Sequence, residues 1–269
     1  MSLSISGKTA IVTGAAKGIG LAVARHFQAK GANVMFVDID EACLEAELGT
    51  EARAEGAVRM FSGDLREKLT IANLLSATID AFDRVDILVN ANRRVAVSDP
   101  LNPEEDAVDL LWQENVMTSL RLSQMTARRM IAQAEKSGET EGPIGAIINI
   151  SSIAARQTQP GLLGYSMASA AVDQMTRSLA VALAPKGIRV NAVAIGSVMS
   201  ASLQAALKDA PEARDAIVEG TPLGRIAAPD ELAEVMQFLA SDASGFMTGQ
   251  VLNLDGGRGL LDRVSIPAF

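Results

Sequence analysis

Apolar positions along the chain fall into two alternating kinds of run. Short stretches of consecutive aliphatic residues, such as Ala146-Ile147-Ile148, suit strands covered on both faces. Between them lie longer amphipathic segments, where Leu44, Leu48 and Ala52, or Ile71, Leu74, Leu75 and Ile79, recur at helical spacing. The pattern predicts strands at Thr9–Thr13, Asn33–Val37, Val58–Phe61, Ile87–Asn90, Ala146–Ile150, Arg189–Val193 and Gln250–Leu254. Strands that alternate with helices of this length pair in parallel through right-handed crossovers. No repeat, low-complexity stretch or linker divides residues 1–269, and the polar run Lys136–Gly142 reads as an exposed loop before the fifth strand. The expected architecture is one doubly wound α/β domain with helices on both faces of a parallel sheet.

The first strand runs into Thr13-Gly14-Ala15-Ala16-Lys17-Gly18-Ile19-Gly20, and a helix follows. Glycines between a strand and a helix permit a tight turn and bring backbone N–H groups close to a pyrophosphate at the helix N-terminus. Gly14, Lys17, Gly18, Ile19 and Gly20 are therefore expected to touch a dinucleotide. Asp38 ends the second strand 18 residues beyond Gly20. A carboxylate there accepts from the adenosine ribose hydroxyls and repels a 2′-phosphate, so Asp38 and its neighbour Ile39 point to NAD rather than NADP. Asp64-Leu65, after the third strand, is a further candidate at the adenine.

Composition narrows the chemistry. The 269 residues carry 24 Lys+Arg against 32 Asp+Glu, a formal net charge of −8. That balance excludes the basic surface that a nucleic-acid or anionic-membrane partner would require. No apolar run reaches the roughly 18 residues of a membrane span, and the N-terminus lacks a signal-peptide pattern. A soluble, cytoplasmic protein is expected. One Cys (Cys43) and one His (His26) leave no zinc site of the usual kind, and a Ser-His-Asp hydrolase would have only His26 to use. The chain has a single tyrosine, Tyr165.

The order TGAAKGIG (Thr13–Gly20), GDL (Gly63–Leu65), ILVN (Ile87–Asn90), ENV (Glu114–Val116), INISS (Ile148–Ser152), YSMAS (Tyr165–Ser169), IRVNAVA (Ile188–Ala194) and TGQVLNLDGG (Thr248–Gly257) resembles the short-chain dehydrogenase/reductase family over nearly the whole chain. The resemblance implies a Rossmann-type sheet and a nicotinamide cofactor. It also implies a small-molecule substrate and a homotetramer, or a mixed oligomer with a related subunit. It places Asn115, Ser152 and Tyr165 in the catalytic set, and Asn90, Asn92, Tyr165, Val198 and Ser200 at the cofactor. A phenol near a substrate oxygen passes a proton while a serine hydroxyl steadies that oxygen. Asn115 is expected to hold a water in the proton path.

Two departures bear on this reading. The family's lysine one helical turn after the tyrosine is Ser169 here, which has no charge to stabilise a phenolate. The glycine expected after the fourth strand is replaced within Asn90-Ala91-Asn92-Arg93-Arg94. Arg93 or Arg94 would obstruct the cofactor, supply the missing positive charge, bind an anionic substrate, or lie solvated on the surface. One reading is thus an NAD-dependent dehydrogenase of small alcohols and ketones. The other is an impaired or re-purposed relative: a subunit of a mixed oligomer, a ligand-binding protein or a lyase. Segment Ser197–Gly220 is expected to carry a substrate lid, with Met199, Leu203, Ala206 and Leu207 as apolar wall. His26 and Cys43 are read as structural, Trp112 as an interface residue, and the tail Arg258–Phe269 as a docking segment.

Overall fold

A computed structural model describes residues 2–104, 106–138 and 142–262. Seven strands form one sheet: β1 (Thr9–Thr13), β2 (Asn33–Asp38), β3 (Val58–Ser62), β4 (Ile87–Asn90), β5 (Gly145–Ser152), β6 (Ile188–Ile195) and β7 (Val251–Leu254). Their order is β3-β2-β1-β4-β5-β6-β7, and every pairing is parallel. The reversal between β1 and β4 creates the crevice at the carboxyl ends of the strands where such sheets bind ligands. The pattern located all seven strands. It ended β5 and β6 too early, because their last residues, Ser151-Ser152 and Ala194-Ile195, run on as a paired ladder beside the crevice.

Side chains alternate across the sheet as the pleat requires. Ala10, Val12, Val34, Phe36, Ile87 and Val89 face one core, while Ile11, Met35, Val37 and Leu88 face the other. The first core is closed by α1 (Gly18–Ala29), α2 (Glu41–Arg53) and, from the far end of the chain, α9 (Pro229–Ala240). The second is closed by α3 (Lys68–Phe82), α5 (Thr118–Ser137) and α6 (Leu163–Leu183). His26 locks α1 to α9 through a 2.7 Å contact with Gln237, a structural duty away from the crevice.

The segment before α5 is not one regular helix. A short α4 (Val108–Leu111) passes through a π-helical turn, Trp112–Met117, before regular pitch resumes. The Thr118 N–H reaches back five residues to the Gln113 carbonyl, and its hydroxyl donates to the same oxygen at 3.0 Å. Such wide turns accommodate one extra residue and often stand at functional sites. Segment Ser197–Gly220 contains α7 (Ala201–Asp209) and α8 (Glu212–Glu219). Residues 263–269 of the tail, read as a docking segment, lie outside the described residues.

Candidate active site

The glycine loop is shaped by sterics. A Cβ on Gly20 would stand 2.1 Å from the Gly14 carbonyl oxygen, so only glycine lets α1 begin this close to the end of β1. Gly14 (φ +65°) lies against the Ala91 and Asn92 backbone, where a Cβ would meet the Ala91 oxygen at 2.9 Å. Helix α1 has no side-chain cap and no acidic residue in its first turn. Its unmatched N–H groups and positive dipole end therefore face the loop, which suits a pyrophosphate.

Two bonds tie this loop to β2. Ala15 N–H donates to the Val37 carbonyl at 3.0 Å, and Ala16 N–H donates to the Asp38 carboxylate at 3.1 Å. The second Asp38 oxygen accepts from Asp40 N–H at 3.1 Å. Asp38 is half-buried and held at the end of β2, whereas Ile39 is exposed beside it. Lys17 reaches over the loop to Asp40 at 3.7 Å. Asp64 is gripped by the Arg66 guanidinium at 2.6 Å, which holds its carboxyl below the ordinary range; Leu65 is buried.

Behind the loop, the asparagines expected at the cofactor bind the protein itself. Asn90 donates to Asn149 at 2.7 Å and Ser123 at 3.0 Å inside the second layer. Asn92 accepts from the Thr13 hydroxyl at 2.7 Å and donates to the Glu114 carbonyl at 3.0 Å. Asn115 is likewise committed: its amide oxygen accepts from Arg94 N–H, and its amide nitrogen donates to the Arg94 carbonyl, both at 2.9 Å. Its own backbone carbonyl accepts from the Ser119 hydroxyl at 2.9 Å. The π-helical turn thus pins the chain that presents Arg93 and Arg94. Glu114, from the same turn, lies 3.2 Å from Arg94 and 3.8 Å from Arg66.

A cavity of about 980 Å³ opens at the carboxyl ends of β4, β5 and β6. Ile19 bounds it on the loop side, Val198 and Ser200 on the α7 side, and Ser152 with Tyr165 at the back. The size is that of a small-molecule site. Of the residues expected to form the catalytic set, only Ser152 and Tyr165 line it. Ser152 accepts from Ala154 N–H at 3.2 Å, which orients its hydroxyl at the strand end. Leu203 and Ala206 from α7 form part of the apolar wall, whereas Met199 and Leu207 do not line it.

Tyr165 is buried, and its hydroxyl oxygen has no hydrogen-bond partner among the described residues. Leaving a buried polar group unsatisfied costs about 1–3 kcal/mol, and this orphan oxygen belongs to a residue of the cavity lining. Ser169, one turn on, donates to the Tyr165 backbone carbonyl at 2.8 Å and contributes nothing to the phenol. A cation comes from elsewhere: the Arg93 guanidinium stands over the Tyr165 ring, 5.2 Å from its centroid.

The sequence alone gave no signal for two supporting groups. Buried Asp173, two turns beyond Tyr165, accepts from the Ser151 hydroxyl at 2.5 Å and so fixes β5 against α6, setting Ser152 relative to Tyr165. Desolvation pushes its carboxyl above the ordinary range, offset in part by Ser151 and by Arg156 at 3.7 Å. Arg258, after β7, also lines the cavity. Neither type of residue belongs to a local motif, and only the fold brings them in.

Comparison with known proteins agrees with this geometry. The family described as enoyl-(acyl carrier protein) reductase matches residues 14–258. The chain is 34% identical over 260 residues to cis-4-hydroxycyclohexanecarboxylate dehydrogenase of Sinomonas cyclohexanicum, covering 96% of this chain and 98% of the relative. It is 31% identical over 255 residues to 3-oxoacyl-(acyl-carrier-protein) reductase of Thermotoga maritima, with 95% and 99% coverage. A solved 7α-hydroxysteroid dehydrogenase, in complex with NADH and 7-oxo glycochenodeoxycholic acid, superposes with a TM-score of 0.84 at 29% identity over 95% of each chain. A glycine-shaped loop, a parallel sheet with its crevice, and a tyrosine and serine facing one cavity all fit these relatives: the chain belongs to the short-chain dehydrogenase/reductase family of oxidoreductases.

Proposed function

We propose that the protein is an NAD-dependent dehydrogenase that interconverts a secondary alcohol and its ketone. The observation that carries this reading is the partnerless Tyr165 hydroxyl in the same cavity wall as Ser152. The loop from Gly14 to Gly20 and the uncapped start of α1 fit a dinucleotide pyrophosphate, with Ile19, Val198 and Ser200 toward the nicotinamide end. Asp38, fixed by Ala16 and Asp40, favours free ribose hydroxyls over a 2′-phosphate. A bound nicotinamide supplies the two-electron hydride acceptor for the carbinol carbon. In alcohol oxidation Ser152 donates to the substrate oxygen and holds it, while Tyr165 Oη takes the hydroxyl proton; in ketone reduction Tyr165 returns it. Arg93 supplies the positive charge that favours the phenolate, in the role that Ser169 is unable to fill.

The reading is tested by following NADH formation from a panel of aliphatic, cyclic and steroidal secondary alcohols between pH 7 and 10, with NADP in parallel. Turnover with NAD that exceeds turnover with NADP, and that is lost in Tyr165→Phe, is expected. Absence of turnover with either nucleotide, in both directions and across the panel, refutes it.

A further inference from the structure

The cavity carries a cation that the proton-transfer chemistry does not use. Arg258 begins the single 3₁₀ turn Arg258–Leu260 after β7, and its guanidinium donates to the Ser197 hydroxyl at 3.2 Å beyond the end of β6. Its carbonyl accepts from Gln157 Nε2 at 3.1 Å, from the loop after β5. Three neighbouring strand ends therefore fix one arginine at the cavity wall.

Asp255 spends its two oxygens on Gly257 N–H at 3.0 Å and Gly259 N–H at 2.8 Å, building the turn that carries Arg258. Among the described residues no carboxylate lies within ion-pairing distance of Arg258, whereas Arg94 and Arg156, on neighbouring loops, each have one. Among the described residues that line the cavity, Arg93 and Arg258 are cationic and Asp262 is acidic, in a protein of net charge −8. The same lining carries the apolar side chains Ile153, Leu162, Leu203 and Leu261.

We infer that the substrate is a hydroxy acid or keto acid, with its reacting oxygen at Tyr165 and Ser152 and its carboxylate on Arg258 and Ser197. A guanidinium fork meets a carboxylate through two parallel hydrogen bonds, and the Ser197 hydroxyl adds a third donor once it turns from Arg258. An apolar body spans the wall between the two ends. This assignment rests on the dehydrogenase reading and names its substrate class.

The experiment compares kcat/KM with NAD for 3-hydroxyoctanoate and a hydroxycyclohexanecarboxylate, each beside its primary amide, in wild type, Arg258→Gln and Arg258→Lys. Calorimetry of octanoate and octanamide on the NAD-loaded protein runs alongside. Hydrogen bonds to a charged group predict an acid-over-amide preference of about tenfold or more in wild type. That preference falls toward unity in Arg258→Gln, where the loss on the acid exceeds the loss on the amide and octanoate binding disappears, and it is partly kept in Arg258→Lys. Equal use of acids and amides, or an equal loss on both in Arg258→Gln, overturns the inference and leaves the dehydrogenase reading standing. A rise in KM for NAD with unaltered acid preference also overturns it, by giving Arg258 to the cofactor's phosphates. No oxidation of any alcohol, acid or neutral, removes the dehydrogenase reading and the inference with it.

Discussion

Replacing Arg93 with methionine removes one charge from beside Tyr165 while keeping a side chain of similar length. The guanidinium carbon lies 5.2 Å from the ring centroid. A phenolic oxygen stands about 3 Å from its own centroid, so the cation is about 6 Å from the oxygen, and Coulomb's law gives about 0.7 kcal/mol at the dielectric of water and about 3 kcal/mol at an effective 20. Arg93 is exposed, which favours the lower part of that range. A loss of about 1–2 kcal/mol of phenolate stabilisation corresponds to about 5- to 30-fold in rate where proton removal limits turnover. The assay is kcat for alcohol oxidation against pH in wild type, Arg93→Met, Arg93→Lys and the double variant Arg93→Met with Ser169→Lys. The Met variant is expected to turn over more slowly than wild type by that factor at pH 7. Arg93→Lys keeps most of the rate. The double variant regains it, because position 169 lies one turn from Tyr165 on α6 and on the same face. Full activity of Arg93→Met at pH 7, with an unshifted profile, would refute the assignment of that charge.

Gly20→Ala drives a Cβ to 2.1 Å from the Gly14 oxygen; overpacking of about 1–3 kcal/mol lowers the melting temperature by several degrees and NAD binding is lost by calorimetry. Gly18→Ala has room for its Cβ, which would meet only Ser200 at 4.0 Å, but must hold φ +62° and so costs about 1–2 kcal/mol in backbone strain; unchanged melting temperatures in both variants would contradict this picture of the loop. Asp38→Asn keeps an acceptor for Ala16 N–H but sheds the charge, so the NADP-to-NAD ratio of kcat/KM rises by about tenfold, the effect of removing about 1.4 kcal/mol of repulsion; an unchanged ratio contradicts the role of Asp38. For Asp173, burial raises the folded-state pKa above that of the unfolded chain. The folded protein then binds the proton more tightly, and stability is lost as pH rises from the ordinary carboxylate range through the raised value. Asp173→Asn, which still accepts from Ser151, is therefore expected to be more stable than wild type at pH 7 in urea titrations. The gain shrinks toward pH 4, and a destabilised variant at pH 7 would show that the Arg156 contact outweighs desolvation.

The strands and the glycine loop were readable because each is encoded locally. Consecutive aliphatics such as Ala146–Ile148 have nowhere to go but a sheet covered on both faces, and Gly14, Gly18 and Gly20 stand where a strand meets a helix. Asn90, Asn92 and Asn115 were placed by resemblance at the cofactor or the proton path. Their amides also bond to Asn149, Thr13, Glu114 and Arg94, partners set by long-range packing that no local pattern encodes, while Asn90 Oδ1 has no partner among the described residues. Asp173 and Arg258 were silent for the same reason. Their partners Ser151 and Ser197 are 22 and 61 residues away in sequence. The relation between Arg93 and Tyr165 spans β5, and no spacing rule connects the two positions.

The wide turn at Trp112–Met117 acts as a phase adjustment between two helical segments. Each residue of an α-helix advances the side-chain direction by about 100°. Deleting one residue from the turn would restore ordinary pitch and swing α4 by about that angle relative to α5. Asn115 would leave the Arg94 peptide, Glu114 would leave Arg94 and Arg66, and the chain carrying Arg93 would lose its anchor. Because Leu111 and Val116 share a buried cluster with Tyr165, a one-residue length change in this turn is a handle on both the packing and the electrostatics of the proton-transfer residue.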